Sequence, residues 1–375
     1  MAFIEALVAE AGVKIVDQVY QRLGAPKPKD DFLNYELQHL LDCYRDETTL
    51  ANESLPYVLL DEIDASSWKE FEQFANYFSV VKLAESFVLA KEPPPELSDF
   101  QAQAYLEFEQ RTKLVKDDRV VRLADYDQFT KTLTVQKCRY SDGLRSNYVM
   151  DWHAGMKLAG SPVCLRGLLQ SQYGRRLPPL ADHRLSNAVG IAVIVFVRHG
   201  REEIIPYLPR RAKPSWFSES LGVTKSSAVY PGGFHCTASG DTAWNDKASS
   251  FFDLFTVDMC RELEEEVGLG LADLDWVYPV AFCRELLRGG KPQLFFAAYT
   301  NLPPPEIASR RRRAIEIQKE NRRQEIEDDV LLVNSPKELF RELSLKGTQE
   351  ALANMVFAQK CAALAYAAGK LSSKR

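Results

Sequence analysis

The chain has 375 residues, 46% hydrophobic and 26% charged, a composition that excludes a wholly disordered, collagen-like or coiled-coil protein. Its 47 basic and 52 acidic residues give a net charge of −5, which provides no general electrostatic reason to bind nucleic acid or an anionic membrane. The longest apolar run, residues 188–197, is too short to cross a bilayer as a helix. The seven cysteines show no C-x-x-C spacing, and we expect a soluble, cytoplasmic protein in which they are reduced.

The amino-terminal region carries helix-like patterns. Apolar residues recur at four-residue spacing over residues 3–23, and segments 32–44, 67–90 and 98–114 also read as helices. The acids opposite the first apolar stripe favour packing against protein over binding to a membrane surface. The patterns predict a mostly α-helical region over residues 1–115, which could support a homodimer or dock a protein partner.

Strand patterns begin near residue 119. Two β-type runs, 120–123 and 132–135, predict a hairpin, so we assign residues 116–184 to a hairpin and a connecting segment. A second domain is predicted over residues 185–375. Its predicted elements are strands over 188–197, 203–208, 277–283 and 293–299, and a last helix over 348–368.

The most informative segment is an acidic helix that a glycine, Gly268, would end. Glu262, Glu265 and Glu266 are three and four residues apart, so a helix places their carboxylates on one face. Acidic runs are more often solvated faces, but carboxylate oxygens on a rigid element are also what Mg²⁺ or Mn²⁺ prefers. A divalent metal site follows as a hypothesis.

A motif match favours the metal hypothesis. Residues 261–269 fit the second half of the Nudix box, R-E-U-x-E-E-x-G-U with U aliphatic, and Gly232-Gly233 resembles the glycine pair that opens it. The chain therefore resembles the Nudix hydrolases from about residue 185 onward. The first half departs from the family pattern, because its glutamate position holds Asp253 or, with an insertion, Asp241.

The resemblance implies an α/β/α sandwich with a mixed sheet and cleavage of a nucleoside diphosphate linked to a group X. It implies Glu262, Glu265 and Glu266 as ligands of Mg²⁺ or Mn²⁺. Structural roles in the motif fall to Arg261, Gly268 and Asp253, with Asp241 as the alternative acid. The substrate phosphates are expected near Arg210, Arg211, Gly232 and Gly233. The general base is sought among Glu265, Glu266, Glu327 and Asp328, with Glu285, Glu325 and Asp329 as further candidates.

Shorter matches narrow the resemblance to the animal branch of the family that hydrolyses UDP-glucose. They comprise residues 140–147, 208–211 and 283–285 and the strand around Phe295 and Phe296. Within the first of these matches, Tyr140, Asp142 and Asn147 either contact the base or sugar or simply form a hydrogen-bonded turn.

Three functions stay open from the sequence. The first is hydrolysis of a nucleotide sugar, the second hydrolysis of ADP-ribose or a dinucleotide, and the third a nucleotide-sensing or scaffold role with little catalysis. Nucleic-acid binding is not expected, because acids interleave with the basic residues 310–323 and aromatic residues are absent there.

Overall fold

The computed structural model describes residues 37–50, 55–63, 77–90, 117–151, 157–158, 161–162, 164–199, 203–211, 233–320, 326–331, 338–339, 341–343 and 347–367. Its helices are α1 (Leu37–Cys43), α2 (Tyr140–Leu144), α3 (Leu165–Tyr173), α4 (Val257–Val267), α5 (Pro304–Glu320) and α6 (Gln349–Ala367). Its first six strands are β1 (Leu55–Glu62), β2 (Ser79–Lys82), β3 (Arg119–Asp127), β4 (Thr132–Arg139), β5 (Lys157–Leu158) and β6 (Ser161–Pro162). The later strands are β7 (Gly190–His199), β8 (Glu203–Arg211), β9 (Ala238–Asp241), β10 (Trp276–Glu285), β11 (Lys291–Thr300) and β12 (Ile326–Leu331).

A mixed sheet forms the centre of the described structure. Its strand order is β1-β10-β11-β7-β8-β12, and β9 pairs with β7 beside β8. Strands β7 and β11 run parallel, whereas the other neighbours in this sheet are antiparallel. Every residue of β10 and β11 is buried, so both faces of the sheet are covered, as the apolar and aromatic runs 276–283 and 294–299 require. The chain is therefore a mixed α/β protein.

Several predicted elements are confirmed. Strands β3 and β4 form the expected antiparallel hairpin, and β7 and β8 form the next one. Strands β10 and β11 are joined by a turn in which Gly289 and Gly290 both have positive φ. The predicted last helix corresponds to α6, which packs against β1, β7, β10 and β11.

The prediction of a mostly α-helical amino-terminal region is wrong for part of the described residues. Helix α1 lies within the predicted segment 32–44, but residues 55–62 form β1 and residues 79–82, inside the predicted helix 67–90, form β2. Pairing with distant strands explains the difference, since β1 pairs with β10 and β2 lies parallel to β4. The predicted helices over 3–23 and 98–114 lie outside the described residues.

The small sheet, of strand order β2-β4-β3, is joined to the central sheet by a partly buried polar contact as well as by apolar packing. Asp61 on β1 accepts a hydrogen bond from Tyr126 of the small sheet at 2.5 Å and pairs with Lys131 at 2.6 Å.

No helix among the described residues combines the length and apolarity needed to span a membrane.

Candidate active site

The acidic segment folds as helix α4, and Gly268 ends it. Gly268 has φ of +77°, a left-handed conformation that glycine adopts without strain, and its N–H donates to the carbonyl of Glu264 at 2.9 Å. A β-carbon at this position would lie 3.0 Å from the carbonyl oxygen of Arg310 on α5. The glycine therefore permits both the exit from α4 and the close approach of α5.

Arg261 joins three acids of this helix. Its guanidinium donates to Asp258 at 2.8 Å, to Glu262 at 2.5 Å and to Glu265 at 2.7 Å. The other oxygen of Asp258 accepts the backbone N–H of Ala243 at 2.8 Å. The planar guanidinium thus braces the carboxylates, and Asp258 connects them to the chain just after β9.

Glu262 is held close to the backbone of β9. A β-carbon built on Gly240 would lie 2.6 Å from the carboxyl carbon of Glu262, so any other residue at this position would displace the carboxyl group. The side chain of Glu262 is 16% exposed. Burial raises its pKa to about 7, and Asp258 and Glu265 add to this rise although Arg261 opposes it.

The three predicted metal ligands differ in environment. Glu262 and Glu265 both contact Arg261, but the side chain of Glu265 is 58% exposed whereas Glu266 is buried. Across the residues that the structure describes, no three acidic, histidine or cysteine side chains are arranged to hold a metal ion. The chemistry of the donor set nevertheless suits a hard cation, because α4 carries five acids and one arginine.

The acid that supports Arg261 is Asp258, which the motif comparison did not single out. Asp253, assigned there a structural role in the motif, lies in the π-helical turn Phe252–Thr256, where it contacts Ser249 and Ser250. Its partners are therefore local. Its reciprocal hydrogen bonds with Ser250 cap the amino-terminal end of the helix. The alternative acid, Asp241, ends β9 directly after Gly240.

Asp241 belongs to a buried polar network that sequence reasoning missed. One carboxylate oxygen pairs with Lys291 at 2.7 Å, and the other accepts the hydroxyl of Tyr148. The side chains of Lys291 and Asp241 are 1% and 9% exposed, so this ion pair is almost fully removed from water. Because Gly240 precedes Asp241, the pair fixes the strand end that lies against Glu262.

The network continues into the turn between β10 and β11. Arg288 lies over the ring of Tyr148, 4.6 Å from its centroid, and its guanidinium is 3.4 Å from the carboxylate of Glu285. Burial raises the pKa of Glu285, although Arg288 and Lys291 lower it. Asn147 donates to the carbonyl of Arg288 at 2.8 Å and so holds this turn in place.

The sequence signal for these cations was weak, since Arg288 and Lys291 only flank a Gly-Gly turn and no motif contains them. Tyr140, Asp142 and Asn147 were expected either to contact the base or sugar or to form a hydrogen-bonded turn, whereas in the structure residues 140–144 form helix α2 and a 3-10 helix follows at Asn147–Val149. Asp142 accepts the N–H of Arg139 at 3.0 Å, and Tyr140 packs against Tyr148. None of the seven cysteines, all of which lie among the described residues, forms a disulfide.

The predicted phosphate-binding arginines lie on β8. The backbone of Arg210 forms an isolated β-bridge with Phe234, which follows the buried Gly233. Arg211 pairs with Ile326 of β12. Pro209, two residues before Arg211, pairs with Val330, which is four residues after Ile326. Strand β12 therefore contains extra residues here and bulges opposite Arg210.

The bulge in β12 contains Glu327 and Asp328, two of the candidate bases. The side chains of Glu327, Asp328 and Arg211 lie outside the described part of the structure. Gly232 and Glu325 lie outside the described residues altogether. The backbone alone thus brings Arg210 opposite these acids.

No protein-family model matches the chain, and no curated protein matches it. Among solved structures it is similar to one titled "Structure of T. brucei MERS1-RNA complex", with 12% sequence identity over 72% of this chain and 86% of that chain. The TM-score of 0.21 is too low to establish a shared fold.

Proposed function

We propose that the protein is a metal-dependent Nudix pyrophosphohydrolase, which cleaves a nucleoside diphosphate linked to X by attack of water at phosphorus. Nucleotide sugars such as UDP-glucose are the proposed substrates. The proposal includes the α/β/α sandwich of that family, with which the mixed sheet and its covering helices are compatible.

The observation that carries the proposal is the contact between the two halves of the motif. Gly240 lies against the carboxyl group of Glu262, and Ala243 donates to Asp258. These contacts support Gly240-Asp241, after an insertion, as the counterpart of the family's glycine and glutamate. A surface helix that was merely acidic would have no reason to bury Glu262 against a glycine of the sheet.

The residues of α4 have distinct proposed roles. Glu262, Glu265 and Glu266 would hold Mg²⁺ or Mn²⁺, which when bound would offset phosphate charge and assist ionisation of the attacking water. Arg261 keeps Glu262 and Glu265 in one place through its three hydrogen-bonded contacts. The general base is proposed among Glu265, Glu266, Glu327 and Asp328, which single substitutions and their pH–rate profiles would separate.

Turnover of a substrate panel tests the proposal. The purified full chain, with Mg²⁺ or Mn²⁺, would be offered UDP-sugars, ADP-ribose, dinucleotides and nucleoside triphosphates. We expect Glu265→Gln and Glu266→Gln to lower kcat by at least about 100-fold. Glu264→Gln is the matched control, because Glu264 is exposed on the same helix outside the specified motif positions. Equal activity of all three variants would refute the assigned metal ligands, and tight nucleotide binding without turnover would favour a sensor.

A further inference from the structure

Asp258, in the first turn of α4, is a rigid link between this helix and the segment after β9. One carboxylate oxygen accepts the Nε–H of Arg261 at 2.8 Å, and the other accepts the backbone N–H of Ala243 at 2.8 Å. The side chain of Asp258 is only 10% exposed, so water competes little with these charge-assisted hydrogen bonds. Gly240, three residues before Ala243, contacts Glu262, so α4 is tied to the same short segment at two points.

Arg261 extends this link to two of the proposed metal ligands. Its terminal nitrogens donate to Glu262 at 2.5 Å and to Glu265 at 2.7 Å, while its Nε donates to Asp258. Because the guanidinium is planar, a shift at the Nε end turns the two donors at the other end with it. The side chain of Arg261 is 41% exposed, so packing alone does not hold it in this orientation.

Neither of the two acids suggested by the motif makes this contact. Asp253 accepts hydrogen bonds from two serines of its own turn, and the oxygens of Asp241 are taken by Lys291 and by a tyrosine hydroxyl. The acid that supports the arginine is instead Asp258, three residues before Arg261, where the periodicity of a helix brings two side chains together.

An acid in the first turn of a helix can also serve only to stabilise the helix end. Such an acid acts on the positive end of the helix dipole and needs no cation beside it. Asp258 differs, because both of its oxygens are bonded, one to Arg261 and one to Ala243, which lies outside α4. The two roles predict different effects of removing its charge. A helix-end role predicts a loss of stability alone, whereas a link through Arg261 predicts a change at Glu262 and Glu265.

We propose that Asp258 is a positioning residue, which acts through Arg261 to hold Glu262 and Glu265 in the arrangement that binds the metal ion. The inference rests on the proposed function, because it takes these two glutamates as ligands of Mg²⁺ or Mn²⁺. Replacing a residue that orients metal ligands commonly lowers metal affinity or activity by about 10-fold to 100-fold. Loss of the charge of Asp258 should therefore weaken metal binding more than it affects binding of the nucleotide.

The test measures Mn²⁺ binding and turnover separately in the full chain. Asp258→Asn keeps the shape of the side chain and an acceptor for Ala243, but it removes the charge that faces Arg261. Binding of Mn²⁺ without substrate would be followed by the electron paramagnetic resonance signal of the free ion. We expect its dissociation constant to rise about 10-fold to 100-fold. At a fixed, subsaturating Mn²⁺ concentration, kcat for UDP-glucose should fall by a similar factor and KM should stay within about threefold.

Two further variants separate positioning from stabilisation of the helix end. Asp253→Asn makes the same substitution at an acid that precedes α4 and has no contact with Arg261 among the described residues. It should keep the Mn²⁺ dissociation constant within about twofold, and Asp258→Asn should lower the urea midpoint no more than this control does. In an Arg261→Gln background, Asp258→Asn should weaken Mn²⁺ binding by less than about twofold further, because both substitutions remove one contact.

The outcomes separate this inference from the proposed hydrolase. Mn²⁺ binding and turnover that Asp258→Asn leaves unchanged, or that Asp253→Asn lowers equally, overturn the positioning role and leave the hydrolase. Additive losses in the double variant do the same. Loss of the cooperative urea transition in both Asp258→Asn and Asp258→Ser would show that the residue is required for folding and would also overturn the positioning role. Weaker Mn²⁺ binding that depends on Asp258 and Arg261, without turnover of any nucleotide, supports the positioning role and overturns the hydrolase. Absence of both Mn²⁺ binding and turnover in the unchanged protein overturns both.

Discussion

Substitution of Gly240 by alanine should separate activity from stability. The new β-carbon would lie 2.6 Å from the carboxyl carbon of Glu262 and 2.9 Å from each carboxylate oxygen. Ordinary contacts begin near 3.4 Å, so the carboxyl group must move by at least about 0.8 Å. It is the end of a flexible side chain, and we therefore expect a stability loss of only about 1 kcal/mol. A displacement of this size at a reacting centre lowers kcat/KM by about 100-fold.

The assay measures Mg²⁺-dependent hydrolysis of UDP-glucose and urea unfolding for the same preparations. Gly270→Ala is the matched control, since its β-carbon would be 3.7 Å from the nearest atom and its φ is −87°. The control should stay within about twofold of the unchanged protein in kcat/KM. Full activity of Gly240→Ala would refute the placement of Glu262 in the reaction. A stability loss above about 3 kcal/mol would show that the strand, rather than the carboxyl group, yields.

Three further predictions concern stability. Lys291→Met leaves Asp241 buried opposite an apolar side chain and should lower the free energy of unfolding by about 3–5 kcal/mol. Adding Asp241→Asn should restore part of this loss. An unchanged urea midpoint in Lys291→Met would contradict a buried ion pair. In the presence of a chelator, unfolding free energy should fall by about 3 kcal/mol as pH rises from about 4.5 to 7, because the pKa of Glu262 is higher in the folded chain than in the unfolded one. Glu262→Gln should flatten this part of the profile, and an equally steep profile in the variant would assign the dependence elsewhere. Gly268→Ala should lower the free energy of unfolding, measured by heat or urea, by about 1–3 kcal/mol, since φ at this position is +77° and the new β-carbon would press on Arg310. An unchanged free energy of unfolding would argue against the left-handed helix end.

The local sequence determined the acidic helix and its end. The spacing of Glu262 and Glu265 brings both to Arg261, and Gly268 marks the point where α4 stops. These features depend on helical periodicity and on the left-handed conformation of one residue, which a short stretch of sequence encodes. Strands β7, β8, β10 and β11 were predictable for a similar reason, since each is a continuous β-type run.

Only the tertiary structure decided which distant residues complete the site. Asp241, Lys291 and Tyr148 are separated by tens of residues. Asp241 and Lys291 meet because β9 and β11 both pair with β7, and Tyr148 reaches them from the segment after α2. The same reasoning applies to β1, whose residues were read as part of a helical region until pairing with β10 placed them in the sheet. Long-range pairing and burial, which carry no local periodic signal, therefore determined the buried polar network.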